Sequence, residues 1–137
     1  MTGGDDPLCR AGMVWDPALC NRRIFETYRT LIHLRRRNFA LTHGGFETLR
    51  VFNGVYAYRR FMDDSSVVVI MNPRETRHNV TIPLGGANGS GTLWRDQLTG
   101  KTVSVKQGQF ILDILPAGSA KVLTPTKENE YHAESHH

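Results

Sequence analysis

The sequence predicts a mainly β protein: an eight-stranded antiparallel β-sandwich over residues 43–124, preceded by one amphipathic helix. Three observations predict it. In the stretch 21–38, NRRIFETYRTLIHLRRRN, apolar residues fall at Ile24, Phe25, Tyr28, Leu31 and Ile32. That spacing of i, i+1, i+4, i+7 and i+8 lines one face of a helix. From Phe46 onward the pattern changes to short β-type runs divided by turn-forming residues. The length of 137 residues allows one core and hardly two full domains.

Before the helix, residues 1–20 read as a loop, broken by Gly3-Gly4, Asp6-Pro7 and Asp16-Pro17. Asp16 can cap a short turn that has Pro17 in first position, and Asn21 can cap the main helix. Arg35, Arg36 and Arg37 then fall in the last turn, where cations suit the negative end of the helix dipole. Phe39, Ala40 and Leu41 are expected to tuck back under the helix, and His43-Gly44-Gly45 to end the element.

Strands are expected near 46–52, 55–61, 66–72, 78–83, 91–95, 102–106, 109–115 and 119–123. Asn53-Gly54 is the strongest hairpin signal among their separators. Val67 to Met71 is apolar on both faces and should be a central strand. Val103 and Val105 alternate with polar neighbours, and Phe110, Leu112 and Ile114 do so around Asp113. Eight short strands at this spacing make an antiparallel sandwich. The tail 125–137 has no periodicity and is expected to be disordered. The domain division is thus 1–42, 43–124 and 125–137.

Composition narrows the function classes. The longest apolar run, Val67 to Met71, is five residues, far from the roughly 18 needed to span a bilayer. With no secretion signal visible in MTGGDDP, a cytoplasmic location and no membrane partner are expected. The net charge of +4 is concentrated at the front: residues 1–62 carry ten Arg against five acids. No nucleic-acid-binding motif accompanies that excess, so it reads as a solvated face rather than a nucleic-acid site. Cys9 and Cys20 could pair by count, but without secretion they read as free thiols. No zinc spacing is present, and neither a metal nor a cofactor is expected.

Catalytic chemistry is sparse. Paired-carboxylate glycoside hydrolysis needs two acids flanking a pocket. Here the acids sit in turns, on the helix or in the tail, and only Asp5, Asp6 and Asp16 fall in a plausible site loop. The glycine-rich stretch 84–91 lacks the Lys-Ser/Thr and helix of a phosphate loop.

The order of parts nonetheless carries a resemblance: GGDDPLCR, then MVWD, then YRTLIHLRRRN, HGGFETL, VYAYRR and VVVIMN. It resembles the C-terminal end of the α-amylase family, in the neopullulanase, cyclomaltodextrinase and maltogenic amylase branch. The resemblance covers about residues 1–124. It implies that 1–20 follow the eighth strand of a (β/α)8 barrel, that 21–38 are its last helix, and that the rest is the C-terminal sandwich. Barrel sites lie on the loops at strand C-termini, so the first loop belongs at the rim of a site. The family's Asp-Pro-x-x-Arg falls on Asp6 and Arg10, which implies substrate binding by these two residues in an intact parent. A carboxylate accepts from paired sugar hydroxyls and a guanidinium donates in a fixed fork. A loop-pinning salt bridge is the competing role. Trp15 could be a stacking platform or an anchor buried beneath the helix.

The family's catalytic Asp, Glu and Asp come from earlier barrel strands that this chain does not contain. It is therefore expected to be an inactive C-terminal fragment of a retaining α-1,4-glucan hydrolase, acting on cyclodextrin, pullulan or maltooligosaccharides as a whole. The sandwich would be structural. The alternatives are a free-standing carbohydrate-binding module, with Tyr56, Tyr58, Phe61 and Trp94 as stacking surfaces, or a protein-interaction domain. The uncovered stripe Ile24, Phe25, Tyr28, Leu31 and Ile32 is expected to repack on the sandwich, on residues 1–20 or on a second copy of the chain.

Overall fold

Eight strands form, each within two residues of its expected limits where both ends are visible. The structure is a computed structural model that describes residues 4–85 and 93–126. The strands are β1 (Gly45–Phe52), β2 (Val55–Met62), β3 (Ser65–Asn72), β4 (Arg77–Pro83), β5 (Leu93–Asp96), β6 (Thr102–Lys106), β7 (Gln109–Leu115) and β8 (Ser119–Pro125). The start of the expected fifth strand and the tail from 127 lie outside the described residues. Two helices precede the strands, α1 (Arg22–Arg37) and α2 (Phe39–Thr42).

The strands make one sheet in the order β1-β2-β3-β8-β5-β6-β7-β4, every neighbouring pair antiparallel. The sheet folds over until its two ends, β1 and β4, meet. Asn53 and Gly54 both take left-handed backbone, with φ of 43° and 83°, which is what a tight two-residue hairpin requires. Between the layers lies the core. Val55 and Ala57 of β2 and Val68 and Ile70 of β3 face Ile82, Trp94, Phe110 and Leu112. Trp94 meets the edge of Phe110 with ring centroids 5.2 Å apart, a favoured aromatic geometry.

β3 is buried on both faces, as its apolar run demands. Its second face, Val67 and Val69, joins Val122 in a smaller cluster under Leu34 and Leu41. This is where the helical segment meets the sandwich. Asn38 makes the junction: it ends α1, and its Oδ1 accepts from Ala40 N at 3.1 Å and from Ser65 Oγ at 3.0 Å. Ala40 is fully buried and Leu41 packs as expected, but Phe39 turns outward and is exposed. A single turn of helix can direct only one side to the sheet. Gly44 lets the chain pass: a Cβ there would collide with the carbonyls of Ala40 and Phe61.

One alternation expected from the sequence changes phase. Phe110, Leu112 and Leu115 are buried while Ile114 is exposed. The cause lies across the ladder. Asn79 of β4, with φ of 50°, interrupts the pairing opposite Asp113. Pairing resumes in the same register on both sides, but the inward-facing set shifts from even to odd positions. His78 and Ile114 thus both face out, while Arg77 pairs with the buried Leu115.

Buried polar groups tie the ends of the strands. Asp96 is fully buried and accepts from Leu98 N, Thr99 Oγ1 and Val122 N, with Lys121 at 3.6 Å. Asn72, also fully buried, donates its amide group toward the carbonyls of Glu75, Leu115 and Pro116.

Candidate functional site

Asp6 and Arg10 are brought together. A short 3-10 helix, Leu8–Arg10, carries the guanidinium back over the carboxylate. Arg10 Nε donates to Asp6 Oδ1 at 2.7 Å and Nη2 donates to Oδ2, a two-pronged pair. The pair is open to solvent, and both carboxylate oxygens of Asp6 are engaged by Arg10. Asp16 and Asn21 cap as expected, accepting from Ala18 N at 2.9 Å and from Ile24 N at 3.2 Å. Trp15 is not buried beneath the helix: it is 82% exposed.

The apolar stripe of α1 also differs from its expected placement on the sandwich or the first loop. Ile24, Phe25, Tyr28, Leu31 and Ile32 are between 37% and 66% exposed, and no residue of α1 is buried. At 100° per residue, the stripe lies opposite the face formed by Glu26, Thr30, His33 and Arg37. That polar face, not the stripe, lines an open groove with Gln97 of the sandwich. Only Leu34, at the margin, reaches the sheet. The helix is therefore seated by its last turn and, among the described residues, turns its apolar face away from the sandwich.

The aromatic side chains considered as sugar platforms are placed unfavourably for stacking. Trp94 is 2% exposed and belongs to the core. Phe61 lies against the guanidinium of Arg59, 4.4 Å from its ring centre, and Arg59 is held by Glu47 at 2.7 Å. Tyr58 stacks on Phe46 at 5.1 Å and neighbours Tyr56 at 5.6 Å. The rings are inclined by 26° and 34° in these two contacts, each of which covers part of one ring face. Sugar stacking needs open faces.

A concave site missed by the sequence reading lies at the seam between β1 and β4. Arg50 Nη1 donates across it to the carbonyl oxygen of Thr81, and to Thr81 Oγ1 at 2.9 Å. Asn53, Arg77, His78 and Asn79 complete its wall. The one available signal was Asn79, a turn-prone residue placed before the β-type run Val80 to Ile82. Among the described residues, no three His, Cys, Asp or Glu side chains gather as metal ligands.

Comparison with known proteins gives this fold a family. Residues 50–111 match the family described as cyclo-malto-dextrinase C-terminal domain. The chain is 36% identical over 118 residues to neopullulanase 2 of Thermoactinomyces vulgaris, spanning 85% of this chain and 20% of that one. Among solved structures it superimposes on an Anoxybacillus α-amylase with a TM-score of 0.76 and 25% identity, covering 92% of this chain and 26% of that one. A solved cyclomaltodextrinase gives a TM-score of 0.74 and 30% identity, covering 90% and 21%. The protein thus belongs to the α-amylase family, whose C-terminal sandwich it carries. More narrowly, it matches the C-terminal part of proteins of the neopullulanase, cyclomaltodextrinase and maltogenic amylase branch. It spans about a fifth of the length of the neopullulanase it matches.

Proposed function

We propose that this chain is the structural C-terminal portion of an α-1,4-glucan hydrolase, and that it does not hydrolyse glucan by itself. The observation that carries the reading is the orientation of α1. A helix that sets its polar face toward its own sandwich and exposes five apolar residues on the far side is built to serve two bodies. The sandwich is one of them. A barrel packed on the stripe is the other, and the sandwich then holds the last barrel helix in place. On this reading Asp6 and Arg10 sit at the rim of the barrel's site and bind sugar hydroxyls of a cyclodextrin, pullulan or maltooligosaccharide. Trp15, exposed in the same loop, is free to stack on a sugar ring. The free thiols of Cys9 and Cys20 fit a reducing, cytoplasmic setting.

The test is direct. Purified chain incubated with cyclodextrin or pullulan should release no maltose or glucose, since no described carboxylate pair flanks a pocket as retaining hydrolysis requires. Measurable release above a no-protein control would overturn the reading.

A second reading is supported by the same stripe. Without a barrel, the exposed apolar face is free to pair with a second copy of the chain. Light scattering across a concentration series separates a monomer from such a dimer.

A further inference from the structure

We propose that the seam pocket between β1 and β4 is a binding site for a phosphate-type oxyanion, free or esterified to a sugar. The pocket has a volume of about 360 Å³ and lies beside the Asn53-Gly54 hairpin, where the folded sheet almost closes on itself. Two guanidiniums line it. Arg50 is laid flat over Phe52, 4.2 Å from the ring centre, and spends one nitrogen, Nη1, on Thr81. Arg77 donates through Nη2 to the carbonyl of Asn53 at 3.1 Å, while its Nε is buried without a hydrogen-bond partner. A guanidinium Nε–H removed from water and left unpaired carries a desolvation penalty. An acceptor entering the pocket relieves that penalty.

The backbone is arranged to the same end. The left-handed Asn79 breaks the alternation of β4 and brings Arg77, His78 and Asn79 together on the pocket wall. Isolated left-handed residues within strands tend to mark sites where side chains are re-aimed. The outer carboxylate near Arg77, that of Glu75, is 3.4 Å away and well exposed, and it does not line the pocket.

The charge balance selects the ligand. Arg50, Arg77 and His78 are among the residues that line the cavity, and no carboxylate residue is. A neutral sugar site needs strong acceptors for hydroxyl groups and an open aromatic face. Here no carboxylate lines the wall to accept from hydroxyl groups, and Arg50 covers one face of Phe52. A tetrahedral oxyanion offers only acceptors and matches the planar fork of arginine.

The experiment is a titration of the whole chain, 15N-labelled, with inorganic phosphate, glucose 1-phosphate or maltotriose, ionic strength being held constant with sodium chloride. Phosphate should move the amides of Asn53 and of residues 77–81 along saturating curves. Arg77→Gln should weaken that binding at least about tenfold, as loss of a charge-assisted pair does, while Arg95→Gln on β5 should not. Tighter binding of glucose 1-phosphate than of phosphate would assign the ester as ligand, and equal binding the free ion. The titration of the unaltered chain decides the question even if Arg77→Gln misfolds. Shifts that never saturate, or that maltotriose produces and phosphate does not, would overturn the proposal.

Discussion

The segment from Gly4 to Gly44 and the sandwich from Gly45 to Thr126 obey different rules. The sandwich buries a continuous core and closes its ends with buried polar ties through Asn72 and Asp96. Among the described residues of the helical segment, only Ala40 is fully buried. α1 is well capped at its N-terminus by Asn21 and carries three arginines in its last turn. Caps and dipole terms contribute about 1 kcal/mol each, and an isolated helix of this length is marginal in water. The lesson is that correct local signals form a helix on paper, but tertiary cover is what keeps it. One region is a folding unit. The other is an attachment that borrows its stability from the Leu34, Leu41 and Ala40 contacts.

The largest expected effect falls on the folding unit. Phe110 is fully buried and meets Trp94 edge-on. Phe110→Ala should lower stability by about 3–5 kcal/mol, read as a shift in the urea midpoint of the sandwich. That is a large part of the stability of a small domain. A change below about 1 kcal/mol would mean that the core does not hold the molecule together, and the contrast between the regions would fail.

A smaller change should loosen the attachment alone. In Gly44→Ala the new Cβ meets the carbonyls of Ala40 and Phe61, so α2 must move off the sheet. We expect a loss of about 1–2 kcal/mol, with α1 and α2 amides exchanging much faster while β3 and β8 amides keep their protection. Uniform acceleration across the sandwich would show that the two regions unfold together, contrary to the division made above.

Much of the strand layout was legible in the residues. Period-two patterning and turn residues placed the strands, since each hairpin depends on local backbone chemistry such as that of Asn53-Gly54. The rest depends on contacts that pattern does not encode. Asn72 stands next to Pro73 and reads as a turn residue, yet its amide reaches Leu115 and Pro116, more than forty positions away. The phase change in β7 was hidden because its cause, Asn79, lies on another strand. For the candidate sites, Asp6 and Arg10 are near in sequence and their pairing follows from one short helical turn. The seam pocket joins Arg50 to Arg77 and Asn79 through the closure of the sheet, which no local spacing reveals. Periodicity likewise showed that α1 has an apolar face but not which body that face meets.

That last point yields the smallest expected effect on stability and the sharpest test of the comparison. Phe25 and Tyr28 are 63% and 66% exposed and lie on the stripe turned away from the sandwich. Replacing both, Phe25→Glu with Tyr28→Glu, removes apolar surface that none of the described residues covers. Glutamate is a good helix former, and near the N-terminus of α1 its charge suits the dipole. The urea midpoint of the sandwich should therefore move by no more than about 0.5 kcal/mol equivalent. Any concentration-dependent dimer seen with the unaltered chain should disappear, because two carboxylates in the contact would have to be desolvated without partners. A marked loss of sandwich stability in this double variant would show instead that the stripe packs on the sandwich in solution. In that case α1 would be part of the folding unit and not a face kept open for a second body.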